Sequence, residues 1–460
     1  MPEKLRFKEK FAYGLGDTAS NFYFQAFNLF LAYYYTDIFG LPSAAVGTLM
    51  FITPLLAAVM NPVIGMIADR TQTRWGKFRP YILWGSIPYG ILGFLMFANP
   101  GFGPGGKLAY AYVTYTLVLF AYAAINTPYS ALMGVMSSSS DDRTSLSTYR
   151  FACAFTGTLL IGWLVPELKD ALAGEGGNPA TGFRNTMAIF AVLSVGMFLY
   201  TFFNTRERVT APAAQPSSAR RDLADLGRNR PWVILVFAGF LTLANVGLRN
   251  GSAIYYFKYC IGSEAGLGQF NLVGFLAFIA GALSTKLFLR YFARRGLMIT
   301  LTILNALALL AFYFVDPHAM PALYALNIFA SFVAGPTPAL VWSMYADTAD
   351  FGEWRFGRRA TGLVFSAAVF AQKVGLAIGG ALLGWLLAGF GFVPNTTQTP
   401  EVVHGIILLY SLLPGAFALL SGFVIFFYTL DEPMVKRIER ELAERQSATA
   451  TPAVSSPPAS

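Results

Sequence analysis

Ionisable and amide side chains set inside long apolar runs are the residues of this chain that could do chemistry. Asp17 lies in Tyr13-Gly-Leu-Gly-Asp17-Thr-Ala-Ser-Asn21, and Asn21 is one helical turn further along the same face. Lys373 stands beside Gln372 deep in another run, Arg150 near the end of a third and Arg249 in a fourth. A charge within a bilayer is costly, so each is a functional candidate that needs an acidic partner or water. Tyr122 and Asn126 stand four apart, and Trp342 adds a second flat ring. An aromatic face with a planar hydrogen-bonder beside it suits the C–H side and the hydroxyls of a pyranose. The competing role for each is structural: Asp17 could pair with a cation only to join helices, Arg249 could snorkel to the membrane surface, and the rings could be packing or belt residues.

A second constellation runs Gly65-Met-Ile-Ala-Asp69-Arg70-Thr-Gln-Thr-Arg74-Trp-Gly76-Lys77-Phe-Arg79-Pro80, between two apolar runs. Its chemistry is that of a conformational latch. At a helix C-terminus the macrodipole disfavours the Asp69 carboxylate, so a partner is expected in Arg70, Arg74 or a neighbouring helix N-terminus. Such a pairing can be made and broken as helices rock. Arg70, Arg74, Lys77 and Arg79 could also serve only to hold the loop inside the cell, but that leaves Gly65 and Asp69 without a reason.

The elements that must position these groups are membrane spans. Hydrophobic residues make up 55% of the 460-residue chain and charged ones 12%, a balance that excludes an ordinary soluble enzyme. With about twenty apolar residues needed to cross the hydrocarbon core, twelve spans are expected, at 11-39, 42-68, 80-99, 107-136, 148-168, 183-203, 231-260, 266-289, 297-315, 319-346, 361-389 and 403-429. Their pattern is all-α. With both termini cytoplasmic, all but six of the 33 Lys and Arg fall on the inner side or beside it, the exceptions being Lys107, Lys169, Arg184, Lys258, Arg249 and Lys373. The net charge of +9 is therefore a topology signal, and no nucleic-acid surface is indicated. Cys153 and Cys260 sit in expected spans and suggest neither a disulfide nor a metal site.

The expected organisation is a six-helix half over 1-203, a cytoplasmic linker over 204-230 rich in Ala, Pro and Ser, a second six-helix half over 231-430, and a tail over 431-460. Within the tail, Lys436 to Arg445 is amphipathic and Ser447 to Ser460 has a disordered composition. An internal repeat supports the two halves: Tyr33-Tyr-Tyr-Thr-Asp-Ile-Phe-Gly40 matches Tyr255-Tyr-Phe-Lys-Tyr-Cys-Ile-Gly262, and Thr127-Pro128 matches Thr337-Pro338 at a similar offset. Matching segments run in the same direction, so the repeats are parallel, with a site expected at midplane between them.

Tyr13-Gly-Leu-Gly-Asp, Tyr33-Tyr-Tyr-Thr-Asp-Ile-Phe-Gly, Arg74-Trp-Gly-Lys-Phe-Arg-Pro, Tyr255-Tyr-Phe-Lys-Tyr and Ala346-Asp-Thr-Ala-Asp-Phe-Gly-Glu-Trp354 resemble the glycoside-pentoside-hexuronide:cation symporter family, of the melibiose-permease type, within the major facilitator superfamily. The resemblance implies a sugar or glycoside carrier of a bacterial inner membrane, working by alternating access as a monomer among membrane lipids, with no cofactor and no metal. It places Asn21, Tyr122 and Arg150 around the substrate and Lys373 and Asn61 at the cation site, and their own chemistry adds Asn126, Trp342 and Lys373 to the substrate-binding candidates. The acids that the family uses for its cation fall at Ala57, Asn61 and Asn126, so no carboxylate remains there. Amide oxygens beside Lys373 make a poor cage for sodium, by analogy with other hard cations. The expected coupling ion is a proton on Asp17, ahead of sodium, with uncoupled sugar flux or a lipid carrier of the same superfamily as alternatives. No nucleophile and base pair or phosphate loop suggests an enzyme.

Overall fold

The computed structural model describes residues 5–137, 139–174, 176–208, 219–357 and 361–450. Every regular element among them is helical; the only extended pairing is an isolated bridge between Thr73 and Gly76. The chain runs α1 (Phe7–Ala26), α2 (Ser43–Arg70), α3 (Arg79–Met96), α4 (Pro104–Met136), α5 (Ser140–Ala171), α6 (Pro179–Asn204), α7 (Ala219–Arg228), α8 (Arg230–Tyr255), α9 (Leu267–Leu283), α10 (Thr285–Phe288), α11 (Arg294–Ala311), α12 (Met320–Ala334), α13 (Thr337–Phe356), α14 (Thr361–Gly389), α15 (Pro400–Tyr410), α16 (Leu412–Phe426) and α17 (Glu432–Ala450). Nine helices or helical runs among the described residues are long and apolar enough to cross a membrane, and Leu267–Leu283 is apolar but shorter.

Helices α1 to α6 pack on one another, as do α8, α9, α11 to α14 and α16, giving two groups. The groups meet where α2 crosses α14, where α5 lies on α9 and where Phe27–Leu31, just after α1, reaches α8. At the first crossing the backbones touch: a Cβ on Gly384 would fall 2.5 Å from the Gly47 nitrogen, and one on Gly47 would fall 2.7 Å from the Ala381 carbonyl oxygen. Small residues are how apolar helices approach this closely in lipid.

Several boundaries depart from the hydropathy pattern for identifiable reasons. The stretch Ala346–Trp354, polar and expected beyond the tenth span, is the continuation of α13. Polarity there marks where the helix leaves the apolar layer, not where it ends. The span expected over 403-429 is broken at Ser411, whose φ of −122° and ψ of −76° belong to neither flanking helix. Part of the expected linker is helical, since α7 covers 219–228 and buries Leu226. Likewise α17 extends to Ala450, so Ser447 to Ala450, expected to be disordered, is helical; 451–460 and the Thr210–Ser218 tract lie outside the described residues.

Helix α1 ends in π-wound turns, Phe27–Leu31 and Tyr34–Ile38, and α8 ends the same way over Tyr256–Ile261. Tyr34–Ile38 and Tyr256–Ile261 fall in the repeated tyrosine-rich segments. A π-turn adds a residue to the helical repeat and re-aims the side chains that follow it, and here it turns both segments toward each other at the end of the bundle opposite the starts of α1 and α8. We call this the far end, and the end at which α1 and α8 start the near end.

Candidate functional site

A cavity with an empty volume of about 690 Å³, part of it open to solvent, lies between the two groups. Asn61, Tyr122 and Lys373 line it, together with Ala57, Asn28 and Phe24. Helix α4 contributes Tyr122, whose ring stacks on Phe24 of α1 at 5.7 Å, while α14 contributes Lys373 from the opposite group. Among the described residues Lys373 has no ion pair, and Asn61 accepts a hydrogen bond from Thr127 at 3.3 Å. Asn126, one turn beyond Tyr122 on α4, holds a buried side-chain nitrogen with no hydrogen-bond acceptor. That leaves a buried donor on the cavity-forming helix α4, which is costly unless a ligand or water accepts from it.

The other residues singled out from sequence are arranged differently. Asp17 and Arg150 form a mostly buried ion pair at 3.3 Å that joins α1 to α5, with the guanidinium 5.2 Å from the Tyr129 ring centre. Asn21 donates to the Asp17 carbonyl at 2.8 Å, so part of its hydrogen-bonding capacity is used within α1. Neither these three nor Asn126 lines the 690 Å³ cavity. Trp342 lines a separate space of about 540 Å³ within the second group, beside Gln372 and Thr337, and its ring stacks on Phe365.

Arg249 neither snorkels nor meets an acid among the described residues. It donates to the Tyr410 carbonyl at 2.8 Å and to the Tyr410 hydroxyl at 3.3 Å, and its guanidinium lies 4.2 Å from the Tyr410 ring and 4.4 Å from that of Phe312.

At the near end, the loop that reads as a latch is clasped by a residue that sequence reasoning missed. Glu207, just past α6, accepts from the N–H groups of Lys77, Phe78 and Arg79 at 2.8, 2.7 and 3.0 Å. A carboxylate at the N-terminus of α3 answers the helix dipole there. Gly76 makes the approach possible: its φ is +108°, and a Cβ would lie 2.5 to 2.8 Å from the Glu207 carboxylate. Arg79 donates to the Trp75 and Phe202 carbonyls, Arg74 covers the Trp75 ring at 4.3 Å, and Arg70 and Arg74 are exposed. Gly65 faces Thr127 of α4, with room for a Cβ at 3.8 Å. The side chain of Asp69 lies outside the described residues. Nearby, Lys10 pairs with Asp142 at 3.1 Å, tying α1 to α5. Burial pushes the Asp142 carboxyl up, but the Lys10 ammonium, the Leu5 N–H and the Ser137 hydroxyl outweigh it and hold it below the usual carboxylate range.

The far end carries the second missed cluster. Asp37, its carboxylate fully shielded, pairs with Lys258 at 2.9 Å and accepts hydrogen bonds from the hydroxyls of Tyr259 and Thr36. The Thr36 hydroxyl also meets that of Tyr255 at 2.7 Å. Around this core, Tyr33 donates to Glu264 at 2.6 Å, Lys169 pairs with Glu264 at 2.7 Å, and Asn395 donates to the Asp37 carbonyl at 2.5 Å. Every one of these bonds except that of Thr36 to Asp37 joins one group to the other. The repeat carried the signal: the match that aligns Tyr33 with Tyr255 aligns Asp37 with Tyr259, so equivalent segments meet around an approximate two-fold axis.

Comparison with known proteins matches residues 12–432 to the family described as MFS/sugar transport protein. The inner membrane symporter YicJ of Escherichia coli K12 is 34% identical over 447 residues, 96% of each chain. The isoprimeverose transporter of Lactiplantibacillus pentosus is 32% identical over 95% of this chain and 92% of its own. Among solved structures, a D-xylose-proton symporter superposes with a TM-score of 0.66 at 14% identity, over 92% of this chain and 98% of that one, a likeness of fold.

Proposed function

Because the chain belongs to the MFS/sugar transport protein family and is a multi-pass transporter of the bacterial inner membrane, we propose that it carries a sugar or glycoside by alternating access. The observation that supports this best is the cavity lined from both groups of helices, together with the polar network that joins them at the far end. In this reading the spans number twelve, residues 1-203 and 231-430 are the moving halves, 204-230 is the linker and 431-460 a cytoplasmic tail. With both termini cytoplasmic, the far end is periplasmic, and the structure corresponds to the state closed to the outside. One relative is, by its name, a transporter of isoprimeverose, and a sugar or glycoside suits a cavity with a stacked tyrosine, amides and one ammonium.

We assign coupling to a proton in preference to sodium. The lining that would hold a metal cation offers Ala57, Asn61 and Lys373, with no carboxylate among them, whereas Asp17 is a titratable group facing Arg150. Uptake into right-side-out vesicles from a panel of labelled mono- and disaccharides, under proton, sodium or no gradient, tests both parts. Uptake driven by a proton gradient is expected, and Asp17→Asn should lower the proton-to-sugar ratio. Sodium dependence, or a ratio unchanged in Asp17→Asn, would overturn the coupling assignment; no uptake of any sugar would overturn the substrate class.

A further inference from the structure

The break between α15 and α16 has a cause in the sequence. Pro414, in the first turn of α16, has no N–H, so the carbonyl four residues earlier, that of Tyr410, loses its helical donor. In lipid such a group must find another. Arg249 supplies it at 2.8 Å, and the hydroxyl of Ser252, one turn along α8, donates to the Leu409 carbonyl at 3.2 Å. The buried guanidinium is thereby explained: a flat fork reaches the carbonyl and hydroxyl of Tyr410 together while its face rests on the Tyr410 and Phe312 rings.

The two sides of the break meet different parts of α8. Helix α16 is held to the body of its group, where Ser421 bonds the Ala238 carbonyl at 3.0 Å and Thr242 at 3.0 Å, and Gly415 and Gly422 lie against α11. Helix α15 lies on the far part of α8 and on its π-wound end, where Tyr256 stacks on Tyr410 at 4.5 Å and the Cys260 thiol points to the Val403 carbonyl at 3.8 Å, and it also meets Tyr313 after α11 through His404 and Phe390 after α14 at Gly405. That π-wound segment is the one whose Lys258 and Tyr259 hold Asp37 of the other group.

We infer that α15 and the π-wound segment Tyr256–Ile261 form one lid over the far end, hinged at Tyr410–Pro414, and that Arg249 is the positioning residue that pins the hinge. This rests on the alternating-access reading and adds the joint at which the far end opens. Arg249 does not line the cavity between the groups; it holds the freed carbonyl in either lid position, so the break persists without an unsatisfied group in the bilayer.

The test uses the full chain in proteoliposomes with spin labels at Gly105 and Thr397, exposed far-end positions of the two groups, one in the first turn of α4 and the other between α14 and α15. In the parent protein the distance between labels is expected to show a short and a long population that sugar redistributes. Pro414→Ala restores the missing N–H and lets the helix close through the break; it should slow transport at least about tenfold and deplete the long population while KM changes less than about twofold. Arg249→Gln should broaden the short population and lower the transport rate, with Arg249→Lys recovering part of both, and adding Pro414→Ala to Arg249→Gln should recover thermal stability. If Pro414→Ala moves both label populations and rate by less than about twofold, there is no hinge at this break. Should Arg249→Gln lower melting temperature alone, Arg249 is a packing residue. A parent protein with one fixed distance under every sugar would overturn the alternating-access reading as well as the lid.

Discussion

The two ends of the bundle use the same chemistry to different purposes. At the far end, Asp37, Lys258, Tyr33, Glu264 and Lys169 bond across the two groups of helices. At the near end several bonds of the same kind lie within a group: Glu207 to the start of α3, Lys10 to Asp142, Arg208 to Glu9 at 2.6 Å, and Arg294 to Asp347 at 3.0 Å. A bond across the interface weights one conformation of the carrier against another, because it exists only while that interface is closed. A bond within a half is present in both conformations and contributes only to the stability of that half. Equal-looking ion pairs therefore differ in what they control.

The largest expected effect comes from breaking the far-end core. Lys258→Ala leaves the shielded Asp37 carboxylate without its cation, and a buried pair cut on one side costs about 3–5 kcal/mol. Since that cost falls on the far-closed state alone, the population should move toward far-end opening by more than about a hundredfold, read as the distance between labels at Gly105 and Thr397. Adding Asp37→Asn should return part of the shift, as a double-mutant cycle would register. Gly76→Ala is next. It forces an alanine to a φ of +108° and places a Cβ against Glu207, at about 1–3 kcal/mol; the melting temperature should fall with the label distances unchanged. A changed far-end population in this variant would break the distinction between the two ends.

Asp142→Asn should cost about 1–2 kcal/mol at neutral pH through the lost charge-assisted bonds. Because the folded-state carboxyl of Asp142 is held below its usual range, its contribution is present above the unfolded pKa and disappears as pH falls through the folded one. The melting temperatures of the parent protein and the Asp142→Asn variant should accordingly converge in acid, and a gap that stays constant with pH would sink this account. Arg74→Ala, which removes an exposed cation from the Trp75 face, should alter stability by no more than about 0.5–1 kcal/mol, and transport little.

Much of the architecture was legible because the bilayer imposes it. Apolar run length, the placement of Lys and Arg, and the repeated Tyr33 and Tyr255 segments led to an all-helical carrier of two related groups without any knowledge of contacts. Lys373, Tyr122 and Asn61 could be gathered into one cavity because each carries a cost or a chemistry recognisable in isolation. Glu207 could not, since an acid after an apolar run in a charged loop looks like any solvated residue until the N–H groups of Lys77 to Arg79 are seen to converge on it. Arg249 was legible as an anomaly only. The partner that resolves it is a backbone carbonyl, which no residue type advertises, although Pro414 announces that a carbonyl four positions earlier lacks its donor.

The clasp of Glu207 also sets the length of a leash. With Glu207 fixed to α3, and Arg208 bonded to Glu9 and the Val135 carbonyl, the connection to the second half begins at residue 209. It ends where α7 begins, at Ala219. Drawn taut, the chain from Arg208 to Ala219 reaches at most about 40 Å. That figure is a mechanical stop on how far the near-end mouths of the two halves can part, written into the spacing between a glutamate and a helix.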